Sequence, residues 1–195
     1  HWLSGNSALN PRSIAYSWPL TIPSGNLVAI GAGKEWAPEM CGILGYSGNF
    51  DPGEIARGNR LQTHRGPDDV GEFLDSETRV GLGHVRLAIL DLSPLGHQPM
   101  VSTDGAVALV LNGEIYNYRE LRAELMLKGH RFRGQSDTEV LLHLYLEERE
   151  GMLGRLNGIF AFALWDKRNG LLLVARDALG VKPFYYSEPA AGFAF

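Results

Sequence analysis

Ile159-Phe160-Ala161-Phe162-Ala163-Leu164-Trp165, then Asp166-Lys167-Arg168-Asn169-Gly170, then Leu171-Leu172-Leu173-Val174-Ala175, is the stretch that constrains the fold most tightly. Asn169-Gly170 is a strong signal for a hairpin turn, so the two apolar runs read as paired strands. A strand with one face in water alternates apolar and polar residues. These two are apolar at successive positions, which predicts burial on both faces, as in a sheet with a layer on each side.

Working outward, the layers have candidates. Ser136 and Glu139 have capping-box spacing and open a helix to about residue 149, with Val140, Leu141, Leu144 and Tyr145 on its inner side. Asn117 and Glu120 have the same spacing before a helix to about Leu127, whose Tyr118, Leu121 and Leu125 share a face. Residues 42–46, 79–89 and 106–111 read as strands, and 52–62 as a short helix. Strands, then helices, then strands indicate a mixed layered fold.

Composition limits the function. The chain has 195 residues, 45% hydrophobic and 21% charged, which is ordinary for a globular domain. Its net charge of -4 argues against a nucleic-acid module. The apolar runs are far too short to span a bilayer. One cysteine excludes an internal disulfide and any multi-cysteine metal site, and the six histidines lack metal-ligand spacing, so no metal is expected. Residues 1–39 differ in texture: they carry three of the four Trp, and Pro11, Pro19, Pro23 and Pro38 are expected to interrupt any element. They are read as an unmatched leader or upstream translated segment, without the basic start and unbroken apolar core of a signal peptide.

Cys41 sits at that composition break, directly after Met40. If the chain started there, one residue would carry a nucleophilic thiol and an α-amine titrating near about 8, able to accept its proton. On the residue alone, a buried cysteine behaving as a small hydrophobe is the commoner case. The surrounding motifs change the balance. Met40-Cys41-Gly42-Ile43-Leu44-Gly45, His64-Arg65-Gly66-Pro67-Asp68 and Gly83-His84-Val85-Arg86-Leu87-Ala88-Ile89 come first. Asp91-Leu92-Ser93, Gly96-His97-Gln98-Pro99-Met100 and Leu111-Asn112-Gly113-Glu114-Ile115-Tyr116-Asn117 follow. Ser136-Asp137-Thr138-Glu139 and Arg176-Asp177-Ala178-Leu179-Gly180-Val181-Lys182-Pro183 complete the set. In this order the eight motifs closely resemble the glutaminase domain of glutamine-hydrolysing asparagine synthetases, which are class II glutamine amidotransferases. The resemblance covers residues 40–195 and not residues 1–39. The run after Arg86 resembles the asparagine synthetase branch more than the purine or glucosamine-phosphate branches.

The resemblance implies an α+β fold, a four-layer αββα sandwich of the N-terminal-nucleophile hydrolase type, truncated at its C-terminal end. It implies Cys41 as nucleophile, and Asn112 (side chain) with Gly113 (backbone N–H) as the oxyanion hole. It implies Arg86 on the substrate α-carboxylate, and Glu114 and Asp137 on its α-ammonium. Taken alone, Asn112-Gly113 would read as a hairpin turn and Glu114 as a solvated turn carboxylate. Asp137 would be an acid in a first helical turn; for Arg86 the alternative is a surface arginine, which its setting in the otherwise apolar run 85–90 disfavours. Arg65 to Asp68 is read as a rigid turn supporting the pocket, 87–90 and 96–100 as the loop covering glutamine, and 176–183 as structural.

Glutamine is the implied substrate, with ammonia passed to a C-terminal synthetase domain of the same chain that adenylates aspartate. No Ser-Gly-Gly pyrophosphate loop of that domain occurs here, and the sequence stops inside an apparent strand, 191–195. The expectation is therefore a cytoplasmic enzyme fragment without cofactors of its own, ATP and Mg²⁺ belonging to the full-length protein. A homodimer is left open; nucleic acid and membrane are not expected as partners. Two alternatives remain: the domain of a relative with another acceptor, or a non-catalytic glutamine-binding module if Cys41 stays internal.

Overall fold

A computed structural model describes residues 40–88, 91 and 93–195, and residues 12–16 as backbone. The elements in chain order are β1 (Arg12–Tyr16), β2 (Gly42–Gly48), α1 (Gly53–Gln62), β3 (Asp69–Asp75), β4 (Val80–Arg86), β5 (Met100–Val101), β6 (Val107–Ile115), α2 (Tyr118–Leu127), α3 (Asp137–Glu148), β7 (Gly158–Asp166), β8 (Leu171–Arg176) and β9 (Gly192–Ala194). Short 3-10 turns lie at Pro94–Gly96 and Arg149–Arg155.

The strands form two sheets, ordered β1-β8-β7-β6-β5 and β3-β4-β2-β9. The β7–β8 hairpin turns where Asn169-Gly170 indicated, and the Asp166 carboxylate accepts from Arg168 N and Asn169 N there. Both faces of that hairpin are buried, for two different reasons. Phe160, Phe162, Leu164, Leu171 and Leu173 pack beneath α2 and α3 with Leu121, Leu125, Leu141, Leu144 and Tyr145. Ala163, Trp165, Leu172 and Val174 pack against Val80, Leu82 and Phe193 of the second sheet. Each fully buried side chain of this size contributes about 1.5–3 kcal/mol, so the uninterrupted apolar runs supply both interfaces at once.

β4 shows the alternation on which the second sheet depends. Val80 and Leu82 point into the sheet–sheet interface, while Gly81 and Gly83 point the other way, toward α1. A Cβ on Gly81 would meet the Tyr46 ring and Ile55, and one on Gly83 would meet Asn59 and Ile55. The absence of side chains lets α1 lie directly on the strand, with Ile55 fully buried and Asn59 Nδ2 donating to Gly71 O at 3.1 Å. The order of layers is therefore α1, sheet, sheet, α2 with α3: the αββα sandwich. Buried polar bonds also link the two sheets. Trp165 Nε1 donates to Asp75 Oδ2 at 3.2 Å, and His84 Nε2 donates to Leu111 O at 3.2 Å.

Several local expectations are corrected. The helix at Ser136 is capped as expected, with Ser136 Oγ accepting from Glu139 N, but the buried Glu139 carboxylate reaches past Ser136 to accept from Arg133 N and Gly134 N. Asn117 makes no cap at all: its side chain donates to Arg155 O and accepts from Asn157 N, tying α2 to the segment before β7. The strand expected over 106–111 continues to Ile115, because β7 offers backbone partners as far as Gly158. β3 and β5 were not anticipated. Arg12–Tyr16, placed in a leader without regular structure, pairs in parallel with Leu171–Ala175 on the open edge of β8. Pro11 and Pro19 flank this strand rather than break it. The rest of residues 1–39, Ile89 and Leu90 of the expected covering loop, and Leu92 lie outside the described residues.

Candidate active site

The side-chain periodicity of three strands brings the site together. In β2 and β4 the residues facing the other sheet are Ile43 opposite His84 and Gly45 opposite Leu82. Continuing the alternation by one pair puts Cys41 and Arg86 on that same inner side, at the end of the sandwich. In β6, Ala108 and Val110 face the second sheet, so Asn112 and Glu114 follow on that side. The N-terminus of α3 closes the far wall. The result is an open cleft, about 450 Å³ including the space open to solvent at its mouth, lined among others by Cys41, Arg86, Gly113, Glu114 and Asp137. Five of the six residues singled out from sequence line it; Asn112, buried beside Gly113, is not among the lining residues.

Cys41 is half-buried at the start of β2. Leu87 N–H donates to its Sγ at 3.4 Å, and the thiol lies 3.6 Å from Leu87 O. Burial pushes this thiol up from its ordinary value, opposed by the Leu87 amide and by the positive charges of Arg86 and Lys182. The backbone around it is held from the turn after α1. Arg65 Nε donates to Cys41 O at 3.3 Å, and Met40 N donates to Arg65 O at 2.9 Å. The turn expected to support the pocket thus grips the peptide on both sides of residue 41.

Arg86 is buried, and its guanidinium donates to the Asp91 carbonyl and, at 3.2 Å, to Ser93 O. It is not an idle surface arginine; the cleft wall at Asp91 and the neighbouring Ser93 are held by it. Asp91 then reaches across the cleft, its Oδ2 accepting from Gln135 N at 2.9 Å, so the wall is pinned to the loop before α3.

Asn112-Gly113 is not a hairpin turn. Both residues lie inside β6, opposite Ala161 and Phe160 of β7. Gly113 has φ +139°, and a Cβ there would strike the Ile159 carbonyl and Phe160 Cα. Only glycine fits, and the local twist re-aims the backbone of the strand at the cleft. Glu114 is likewise a strand residue, half-buried, and not a turn carboxylate. Asp137 does occupy the first turn of α3, but it is buried, and its Oδ2 accepts from Ile115 N at 2.9 Å. Burial raises its carboxyl above the ordinary range, against the Ile115 amide; the negative charge of Glu114 adds to the rise.

Other contributors were not identified from sequence. Gln98, assigned only to a covering loop, is buried and bridges two elements: its Oε1 accepts from Leu111 N at 2.6 Å and its Nε2 donates to Thr138 Oγ1 at 3.2 Å. It fixes β6 against α3, and with them Gly113 and Asp137. The Leu87 backbone and Lys182 were also missed; the former carries no side-chain signal, and the latter is far away in sequence. Among the described residues no group of three or more His, Cys, Asp or Glu side chains is arranged to hold a metal ion, and no helix among them is long and apolar enough to cross a membrane.

The arrangement pairs a thiol with a guanidinium and two carboxylates around one cleft, complementary to the two charged ends of an amino acid. The glutamine amidotransferase domain family matches residues 40–195. Asparagine synthetase [glutamine-hydrolyzing] 3 of Bacillus subtilis is 43% identical over 164 residues, covering 80% of this chain and 26% of that protein. A putative asparagine synthetase [glutamine-hydrolyzing] 2 of Methanocaldococcus jannaschii is 42% identical over 175 residues, 80% of this chain and 33% of that one. The Sandersonia aurantiaca asparagine synthetase is 45% identical over 151 residues, 75% and 28%. The chain thus spans about a quarter to a third of the length of these relatives. In fold it is similar to the glutamine phosphoribosylpyrophosphate amidotransferase of B. subtilis, with a TM-score of 0.66 at 23% identity over 78% of this chain and 40% of that one. Over residues 40–195, the chain belongs to the glutamine amidotransferase domain family.

Proposed function

We propose that this chain is the glutaminase half of an asparagine synthetase, hydrolysing glutamine to glutamate and ammonia. The observation that carries the reading is the convergence of Cys41, Arg86, Gly113, Glu114 and Asp137 on one cleft. Arg86 receives the substrate α-carboxylate through its planar fork, and Glu114 and Asp137 receive the α-ammonium. The side-chain amide then reaches Cys41. The thiol attacks the amide carbon while its proton passes to the α-amine of the same residue. Asn112 and the Gly113 N–H stabilise the oxyanion, such donors being worth about 10²–10³ in rate each. The C–N bond breaks, the ammonium proton returns to the leaving nitrogen, and ammonia departs from a thioester. Water, deprotonated by the same amine, releases glutamate and frees the thiol.

This chemistry needs Cys41 as the first residue, because an acylated nitrogen cannot serve as base. Ammonia would pass to a further domain of the same protein for ATP-dependent amidation of aspartate, and ATP and Mg²⁺ would act in that domain. The names of the relatives support asparagine synthesis over other acceptors. The test is ammonia release from glutamine by protein trimmed to begin at Cys41, beside protein retaining residues 1–40. Release by the trimmed form alone is expected. A trimmed, folded protein releasing no ammonia refutes the reading.

A further inference from the structure

Lys182 has no place in the reaction as drawn, yet its setting is unusual. It is 7% exposed, and its ammonium lies 3.1 Å from Met40 Sδ, on the residue that immediately precedes the nucleophile. No carboxylate among the described residues comes within salt-bridge distance of it. Buried lysines are rare unless paired. Its placement is not accidental, because the loop after β8 is rigidly tied down. The Asp177 carboxylate accepts from Val181 N and Lys182 N, each at 2.9 Å, and from Phe160 N at 3.3 Å, while Asp177 N donates to Phe160 O at 2.8 Å. Three backbone amides thereby occupy the acid on Lys182's own loop, and the ammonium is left aimed at residue 40.

We propose that Lys182 is a positioning residue for the nucleophile: its buried positive charge keeps the α-amine of a chain beginning at Cys41 neutral, and so able to accept the thiol proton. The inference rests on the glutaminase reading. Charged groups reach this point from every element around it: Arg65 from the turn after α1, Arg86 from β4, Lys182 and Asp177 from the loop after β8, Glu114 from β6 and, beyond it, Asp137 from α3. Bound glutamine would pair its carboxylate with Arg86 and its ammonium with Glu114 and Asp137. With Glu114 and Asp137 paired to substrate and the Asp177 carboxylate taken up by backbone amides, Arg65 and Lys182 would leave net positive charge near the amine when it must take up a proton. A like charge packed against the residue that precedes Cys41 disfavours the protonated amine. Burial and the neighbouring Arg65 lower the Lys182 ammonium itself, while Cys41, Glu114 and Asp177 hold it charged.

The test uses protein beginning at Cys41 and running to its natural C-terminus. Competitive acetylation of the α-amine as a function of pH, read by mass spectrometry on the N-terminal peptide, gives the amine's midpoint; the acid limb of kcat/KM for ammonia release is measured in parallel. In the parent the midpoint should lie below the ordinary value of about 8. Lys182→Met should raise it by about one pH unit, with the acid limb moving equally, and Lys182→Arg should restore it. A parent midpoint at or above the ordinary value overturns the proposal without recourse to any variant, as does a Lys182→Met midpoint equal to the parent's. A midpoint that shifts as expected in protein releasing no ammonia upholds the charge effect and refutes the glutaminase reading instead.

Discussion

Replacing Gly113 by alanine tests how the site is built into the fold. The added methyl group meets two obstacles. At φ +139° an L-residue sits where side chains are rarely tolerated, and its Cβ points at the Ile159 carbonyl and Phe160 Cα of the paired strand. The neighbours are backbone and cannot swing aside, so β6 and β7 must separate locally. Strain at such a φ costs about 1–3 kcal/mol and overpacking about as much again, a total of about 2–6 kcal/mol. For a domain of this size each kcal/mol lowers Tm by about 2–4 °C, so thermal unfolding followed by circular dichroism should fall by about 10 °C. Separation of the strands also turns the Gly113 N–H, and glutaminase kcat should drop by about 10²–10³. Gly170→Ala is the control: it too has a positive φ, +58°, but open space where the methyl group goes. It should cost about 1–2 kcal/mol and leave kcat unchanged. If Gly113→Ala melts no earlier than Gly170→Ala and keeps the parent kcat, the geometric account of the oxyanion site is wrong.

Two other perturbations follow from buried titratable groups. His84 is fully buried, and burial lowers it from 6.5 to about 4 in the folded chain, its contact with Leu111 O opposing the fall. The folded value lies below the unfolded one, so the unfolded chain binds the proton first. The contribution is intact above about pH 6.5 and fades as pH falls toward 4, by about 3 kcal/mol in all. Urea titrations from neutral pH to pH 4 should show this slope, and His84→Gln should flatten it; an unchanged slope would assign acid sensitivity elsewhere. Asp137→Asn keeps an acceptor for Ile115 N but removes the charge offered to the substrate ammonium. Catalytic efficiency on glutamine should fall by at least about tenfold with Tm little altered. A fall in Tm at unchanged efficiency would make Asp137 a helix-terminus residue only.

The sheet–sheet sandwich was legible because its central hairpin is apolar on every residue, a pattern that only burial on both faces explains. The motifs singled out five residues that line the cleft, but not their local structure. Asn112-Gly113 has the sequence of a turn and lies in a strand, because β7 supplies nine residues of backbone pairing to β6 and that long-range partner outweighs local propensity. Asn117 was read as a cap and instead bonds residues 38 and 40 positions away. Gln98 and Lys182 act across 13 and 142 positions respectively. No window of neighbouring sequence could have revealed such contacts. The Leu87 backbone groups at Cys41 have no side-chain signature at all.

The most direct test of the account is to find where glutamine is bonded during turnover. Protein beginning at Cys41 is mixed with glutamine, quenched in acid within a turnover and analysed by peptide mass spectrometry. The expected result is a glutamyl thioester on Cys41, absent from Cys41→Ala, which also releases no ammonia. A glutamyl adduct on another residue, or ammonia released by Cys41→Ala at the parent rate, would contradict the assignment of Cys41 as the nucleophile.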